Sequence, residues 1–105
     1  MSTMDERRGA SENKFMLNAE QEFKAEARRN KLLAQWAAPL VGKSDVDAYV
    51  LEVIKSDFEE AGDEDVFRKV SADLSAGGAG VTDTELRAKI DEFMDLAREQ
   101  IRTGQ

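Results

Sequence analysis

From Phe23 to Ala38 the chain contains no glycine, no proline and no β-branched residue. Ala, Leu, Lys, Glu and Arg dominate the stretch, and these residues lose little freedom on entering a helix, so the backbone is predicted to be helical throughout. Ala25, Arg29, Leu32, Leu33, Trp36 and Leu40 recur at three- and four-residue spacing and form a stripe along one side. Lys24, Arg28 and Lys31 lie off that stripe and form the one strongly basic cluster. The chain before this helix is polar and weakly patterned; the chain after it is acidic and regularly patterned.

The later segments repeat the same logic. Pro39 lacks an N–H and clashes with the preceding turn, so it ends the long helix or kinks its last turn. Gly42 suits a left-handed stop. Ser44, with Asp47 three residues on, reads as an acidic variant of a capping box opening a second helix. Val46, Tyr49, Val50, Val53, Ile54 and Phe58 then make its buried face. Asp63 is expected to cap a short third helix with Val66, Phe67, Val70 and Leu74 on its apolar side. Gly77, Gly78 and Gly80 end it. Thr82 and Glu85 form a capping box, with Val81 placed to staple onto Leu86, and Ile90, Phe93, Met94, Ala97 and Ile101 continue the stripe of a fourth helix.

No segment alternates as a strand does. The predicted fold is therefore all-α, a four-helix bundle over 20–105 with helices at about 20–41, 44–61, 63–76 and 82–103, preceded by an N-terminal arm, 1–19. Its core is expected from Leu32, Leu33, Trp36, Val50, Val53, Ile54, Phe67, Val70, Leu74, Leu86, Ile90, Phe93 and Met94. At 105 residues the chain is one domain with a modest core.

Composition removes whole classes of chemistry. The chain has no Cys and no His, so disulfides, thiolate sites, Ser-His triads and His-ligated metals all lack their key residue. No apolar run approaches the ~20 residues of a membrane-crossing helix, and the first residues lack the apolar centre of a signal peptide. A cytoplasmic protein without direct membrane insertion is expected. Residues 1–42 hold seven Lys/Arg against six Asp/Glu, a balance of +1, while 43–105 hold eight against sixteen, a balance of −8. Such an acidic body repels nucleic acid and points to a protein partner.

Two stretches invite sharper readings. Asp57 to Asp65 carries six carboxylates and no base. It lacks the order of a calcium loop, nothing suggests a pocket for acid–base chemistry, and a solvated turn at Gly62 is expected. The glycines at 77–80 are not followed by Gly-Lys-Ser/Thr and read as a connector rather than a phosphate loop.

Residues 1–19 balance three acids with three bases. They are expected to be mobile to about Asn13 in the free protein, either as a frayed terminus or as a recognition arm that turns helical on a partner. In the second reading Phe15, Met16 and Leu17 anchor the arm, while Arg7, Arg8 and Lys14 set its register. A rival reading is a helical adaptor acting through Arg28, Arg29 and Lys31. The bland one is that these are solvated cations paired locally with Glu22 and Glu26.

Ala27-Arg28-Arg29-Asn30-Lys31-Leu32-Leu33 and Trp36-Ala37, followed by Asp57-Phe58-Glu59-Glu60, Gly62-Asp63-Glu64-Asp65-Val66 and Arg68-Lys69-Val70, resemble the zeta subunit of alphaproteobacterial F-type ATP synthases, and the likeness spans nearly the whole chain. That resemblance implies a non-enzymatic inhibitor of ATP hydrolysis. The N-terminal arm would wedge between the alpha and beta subunits beside the central gamma stalk and block rotation in the hydrolysis direction. The arm positions that match the family pattern are Asp5, Glu6, Arg7, Lys14 and Phe15; the reading of the residues themselves adds Met4, Arg8, Met16 and Leu17 as arm contacts, and Arg28, Arg29 and Lys31 as a candidate secondary contact. The sequence departs from the family pattern at Gly9, Ser11 and Pro39. A monomer peripheral to the inner membrane through the ATP synthase is expected, without a cofactor; weak adenine-nucleotide binding would be a regulatory addition that no motif supports.

Overall fold

The computed structural model describes residues 17–58 and 62–104, which form four α-helices and, among the described residues, no strand. They are α1 (Ala19–Ala37), α2 (Val46–Ser56), α3 (Glu64–Ala76) and α4 (Asp83–Thr103). The all-α four-helix fold is thus the one expected. Helix α1 packs against each of the other three, α2 against α3, and α3 against α4; the backbones of α2 and α4 do not approach closely. Chain order is therefore also neighbour order around the bundle, a point that periodicity left open.

The helix ends follow from local chemistry. Asn18 Oδ1 accepts from the Gln21 amide at 2.7 Å while Gln21 Oε1 accepts from the Asn18 amide at 3.1 Å, a reciprocal cap at the start of α1. At its other end α1 stops at Ala37, two residues before Pro39 and short of the expected 41. The following turn closes when the Lys43 amide donates to the Ala38 carbonyl at 2.9 Å and the Gly42 amide to that of Pro39 at 3.4 Å. This is a Schellman pattern, and Gly42 takes the left-handed position at φ 78°. Leu40, placed on the apolar stripe by spacing, falls in this turn and is exposed.

Helix α2 is capped by Asp45, whose Oδ1 accepts from the Ala48 amide at 3.1 Å, and not by Ser44. It ends at Ser56, well short of 61, so Phe58 lies in a turn with 69 % of its surface exposed instead of continuing the buried face. Asp63 precedes α3 but makes no side-chain cap. The Thr82–Glu85 box forms as expected: the Glu85 amide donates to Thr82 Oγ1 at 3.1 Å and the Thr82 amide to Glu85 Oε1 at 2.9 Å. These bonds to Thr82 hold the Glu85 carboxyl below its ordinary pKa. Gly77 has a different task from the stop glycines. A Cβ there would stand 3.1 Å from Val41 Cα and 3.2 Å from the Leu40 carbonyl oxygen, so its bareness lets the end of α3 approach the turn after α1.

The main core joins Leu33, Tyr49, Val53, Val66, Val70, Leu74, Leu86 and Ile90. A smaller cluster of Ala25, Met94 and Ala97 continues it, with Leu17, Leu32 and Ile101 packed at its edge. Trp36, Ile54, Phe67 and Phe93, expected in the core, sit half-buried at its margin; the Trp36 and Phe93 rings lie 6.4 Å apart at 55°. Spacing placed Ala25 on the inward stripe but passed over Ala34, Ala37 and Ala38; all four are wholly buried.

Tyr49 is the largest fully buried side chain, and its hydroxyl donates to Asp73 Oδ2 at 2.8 Å. Lys69 Nζ lies 3.0 Å from the same oxygen and 2.9 Å from Glu52 Oε1, closing a polar rim over the α2–α3 seam. Burial, then the Asp73 carboxylate, pushes the Tyr49 phenol far above its ordinary value of 10.0. Because the folded value is raised, this contribution to stability is full below the ordinary phenol range and is lost as pH climbs beyond it. In an alkaline titration followed by ultraviolet absorbance, phenolate should form only as the helices melt. Tyr49→Phe should unfold at higher pH than the wild type and cost about 1 kcal/mol near neutrality.

Candidate functional site

Of the residues implied in the arm, Met4, Asp5, Glu6, Arg7, Arg8, Lys14, Phe15 and Met16 lie outside the described residues, as does the expected mobility up to Asn13. Leu17 is described, and it marks where the arm is rooted. Its half-buried side chain packs on the Ala25–Met94–Ala97 cluster, and the next residue, Asn18, caps α1. The first turns of α1 are then tied to α4. Arg98 Nη2 and Nε donate to Glu22 Oε2 at 2.6 and 3.1 Å, and Nε also reaches Oε1 at 3.3 Å. The hydrogen bonds to Glu22 raise the Arg98 guanidinium further above its ordinary range. Glu22 therefore pairs across the bundle and not with the basic cluster beside it. Six residues further on, Arg28 Nη1 donates to Gln100 Oε1 at 2.8 Å.

The three cations of the second contact part company. Lys31 is exposed and Arg28 is half-buried, but Arg29 turns inward and keeps only 4 % of its surface. Arg29 Nε donates to Asn30 Oδ1 at 2.7 Å, Asn30 Nδ2 donates to Asp57 Oδ2 at 3.0 Å, and Arg29 Nη2 lies 3.5 Å from that same oxygen. A guanidinium loses too much hydration inside a bundle unless a carboxylate meets it, and Asp57 does so from the end of α2. The outward patch on α1 consequently holds Lys24, Arg28 and Lys31. The inward position was legible, since Arg29 belonged to the apolar stripe by spacing.

The acidic stretch is less solvated than expected. Asp57 is taken up by Arg29 and Asn30; Asp65 keeps 4 % of its surface and pairs with Arg68. Arg87 Nη1 lies 3.0 Å from Glu64 Oε2, and its hydrogen bond and charge hold the Glu64 carboxyl below its usual range. Among the described residues no group of three carboxylates converges as metal ligands, and no helix is long and apolar enough to cross a membrane. The segments carrying the resemblance, around Asn30 and around Asp57, meet in space through one hydrogen-bonded network.

These features define, among the described residues, an all-α four-helix bundle whose first helix is firmly packed from Leu17 and Asn18 onward. The chain belongs to the ATPase inhibitor subunit zeta family, whose match runs over residues 1–100. A protein solved in solution by NMR is similar to it, with 48% identity, a TM-score of 0.68, and coverage of 80% of this chain and 98% of the other. No curated protein sequence matches.

The Arg29–Asn30–Asp57 network makes a specific demand on stability. Asp57→Ala leaves a buried guanidinium without its partner and should cost about 3 kcal/mol in urea unfolding. Replacing both charges, Arg29→Met with Asp57→Leu, should recover most of that loss. A single substitution as mild as the double would show that the pair contributes little.

Proposed function

We propose that this protein inhibits ATP hydrolysis by the F-type ATP synthase through its N-terminal arm. The arm inserts at a catalytic interface between alpha and beta subunits beside the gamma stalk and obstructs rotation in the hydrolysis direction. Phe15 and Met16 supply apolar anchors, while Leu17, packed on the bundle, roots the arm; Asp5, Glu6, Arg7, Arg8 and Lys14 set register through charge, with Met4 at the tip. The bundle stays outside as a body too wide to follow the arm. The observation that carries this reading is the extent of the family match, which begins at residue 1 and so includes the arm as well as the bundle. The packed root at Leu17 and Asn18 supports it, because an arm can hold a rotor only if the body holds the arm. In this reading the protein is a regulatory subunit, not an enzyme, and works in the cytoplasm at the inner membrane through the ATP synthase.

The test compares the full chain with a 17–105 truncate, which keeps Leu17 and the Asn18 cap, on a purified F-type ATPase freed of its own inhibitor. The full chain should suppress ATP hydrolysis and leave synthesis intact. The truncate should lose the inhibition while matching the full chain in thermal unfolding of its helices. Equal inhibition by a folded truncate overturns the role given to the arm, and no inhibition by either overturns the function.

A further inference from the structure

Among the described residues, the seam between α1 and α2 leaves two large aromatic side chains in water. Phe23 on α1 is 60 % exposed and Phe58, just past α2, is 69 % exposed. Ala27 and Ile54 lie between them and line two adjoining depressions of about 270 and 370 Å³, which Phe23 also borders. Two large aromatics left in water beside a shallow trough are costly to solubility and mark a surface that meets something.

The two ends of this trough differ in charge. Lys24, Arg28 and Lys31 line the depression that reaches Ile101. Glu26 and Asp57 line the other, but Asp57 is already matched by Arg29 and Asn30. Lys24 there lies 3.6 Å from Glu20 and Arg28 donates to Gln100, while Lys31 is exposed, so a protein of net charge −7 gathers cations at one end of its exposed apolar groove. A second copy of so acidic a chain is repelled. The chain's own residues 1–16, with three acids and three bases, offer that end no complement.

We infer that the Phe23–Ala27–Ile54–Phe58 groove docks an amphipathic helix of an ATP synthase subunit, one whose apolar side chains recur at three- and four-residue spacing and whose carboxylates cluster at the end lying over Lys24, Arg28 and Lys31. The inference rests on the proposed function for the identity of the complex. It adds a contact made by the body and independent of the arm. Phe23 and Phe58 grip the apolar side of the incoming helix, and the basic end selects its direction.

The experiment places a photoreactive benzoylphenylalanine at position 58 of the full chain, or at Leu96 on α4 as a control, and irradiates each with the purified ATPase. The expected result is a cross-link from position 58, absent from position 96, to one segment that is amphipathic and acidic at one end. Lys24→Glu with Lys31→Glu should lower affinity for the ATPase at low salt by about tenfold, with Lys24→Gln and Lys31→Gln intermediate. Lys43→Glu should leave it unchanged. A cross-link to residues 1–16, to a second copy or to a basic segment overturns the inference, as does equal labelling from the two positions. Inhibition by the unmodified chain, measured on the same ATPase, separates the two failures. Inhibition without the position 58 cross-link removes the groove contact alone, whereas a chain that neither inhibits nor binds removes the proposed function with it.

Discussion

The close seating of α1 is the constraint on which the bundle depends. Ala25, Ala34, Ala37 and Ala38 are wholly buried, and their small side chains bring the α1 backbone near its neighbours where larger residues would hold it away. Leu33 then reaches the shared core, and α1 can touch all three other helices. Helices α2 and α4, whose backbones stay apart, are held in one body because both lean on α1 and on α3. In a chain this small a single helix that touches each of the others is an economical way to close a core.

Polar pairing between helices is the second organising element, buried at Arg29 and Asn30 and partly exposed elsewhere. Arg29, Asn30 and Asp57 join the middle of α1 to the end of α2. Tyr49, Asp73, Lys69 and Glu52 do the same between α2 and α3. Glu22 and Arg98 pair α1 with α4 at the arm end. Such bonds add little net energy compared with burial of Leu or Val, but a misplaced partner leaves a charge stranded, so they discriminate sharply between correct and shifted packings.

Much of this was legible in the residues. Periodicity found four helices and most of their inward faces, and Thr82 with Glu85 announced its box because both halves of that signal are local. What periodicity could not see were choices made between helices. Phe58 continued the spacing of α2, yet Asp57 is drawn to Arg29 and Asn30 and the helix stops at Ser56. Glu22 had basic neighbours on its own helix, yet its partner is 76 residues away. The alanines carried no strong apolar signal because their contribution is proximity and not area. The acidic run from Asp57 to Asp65 looked uniform in sequence, but which of its members is buried depends on the cations that face it.

The way Leu17 and Asn18 join the bundle has a mechanical consequence. Any pull on residues 1–16 enters the bundle at Leu17, next to the Asn18–Gln21 cap, and passes directly into the first turns of α1. There it meets the Glu22–Arg98 fork, the Arg28–Gln100 bond and the Ala25–Met94–Ala97 contact in succession, all bearing on the last turns of α4. The strain is shared along some two turns of helix and does not fall on one bond. The two ends of the folded chain are thereby riveted to each other, and a tug at the first helix is resisted by the last.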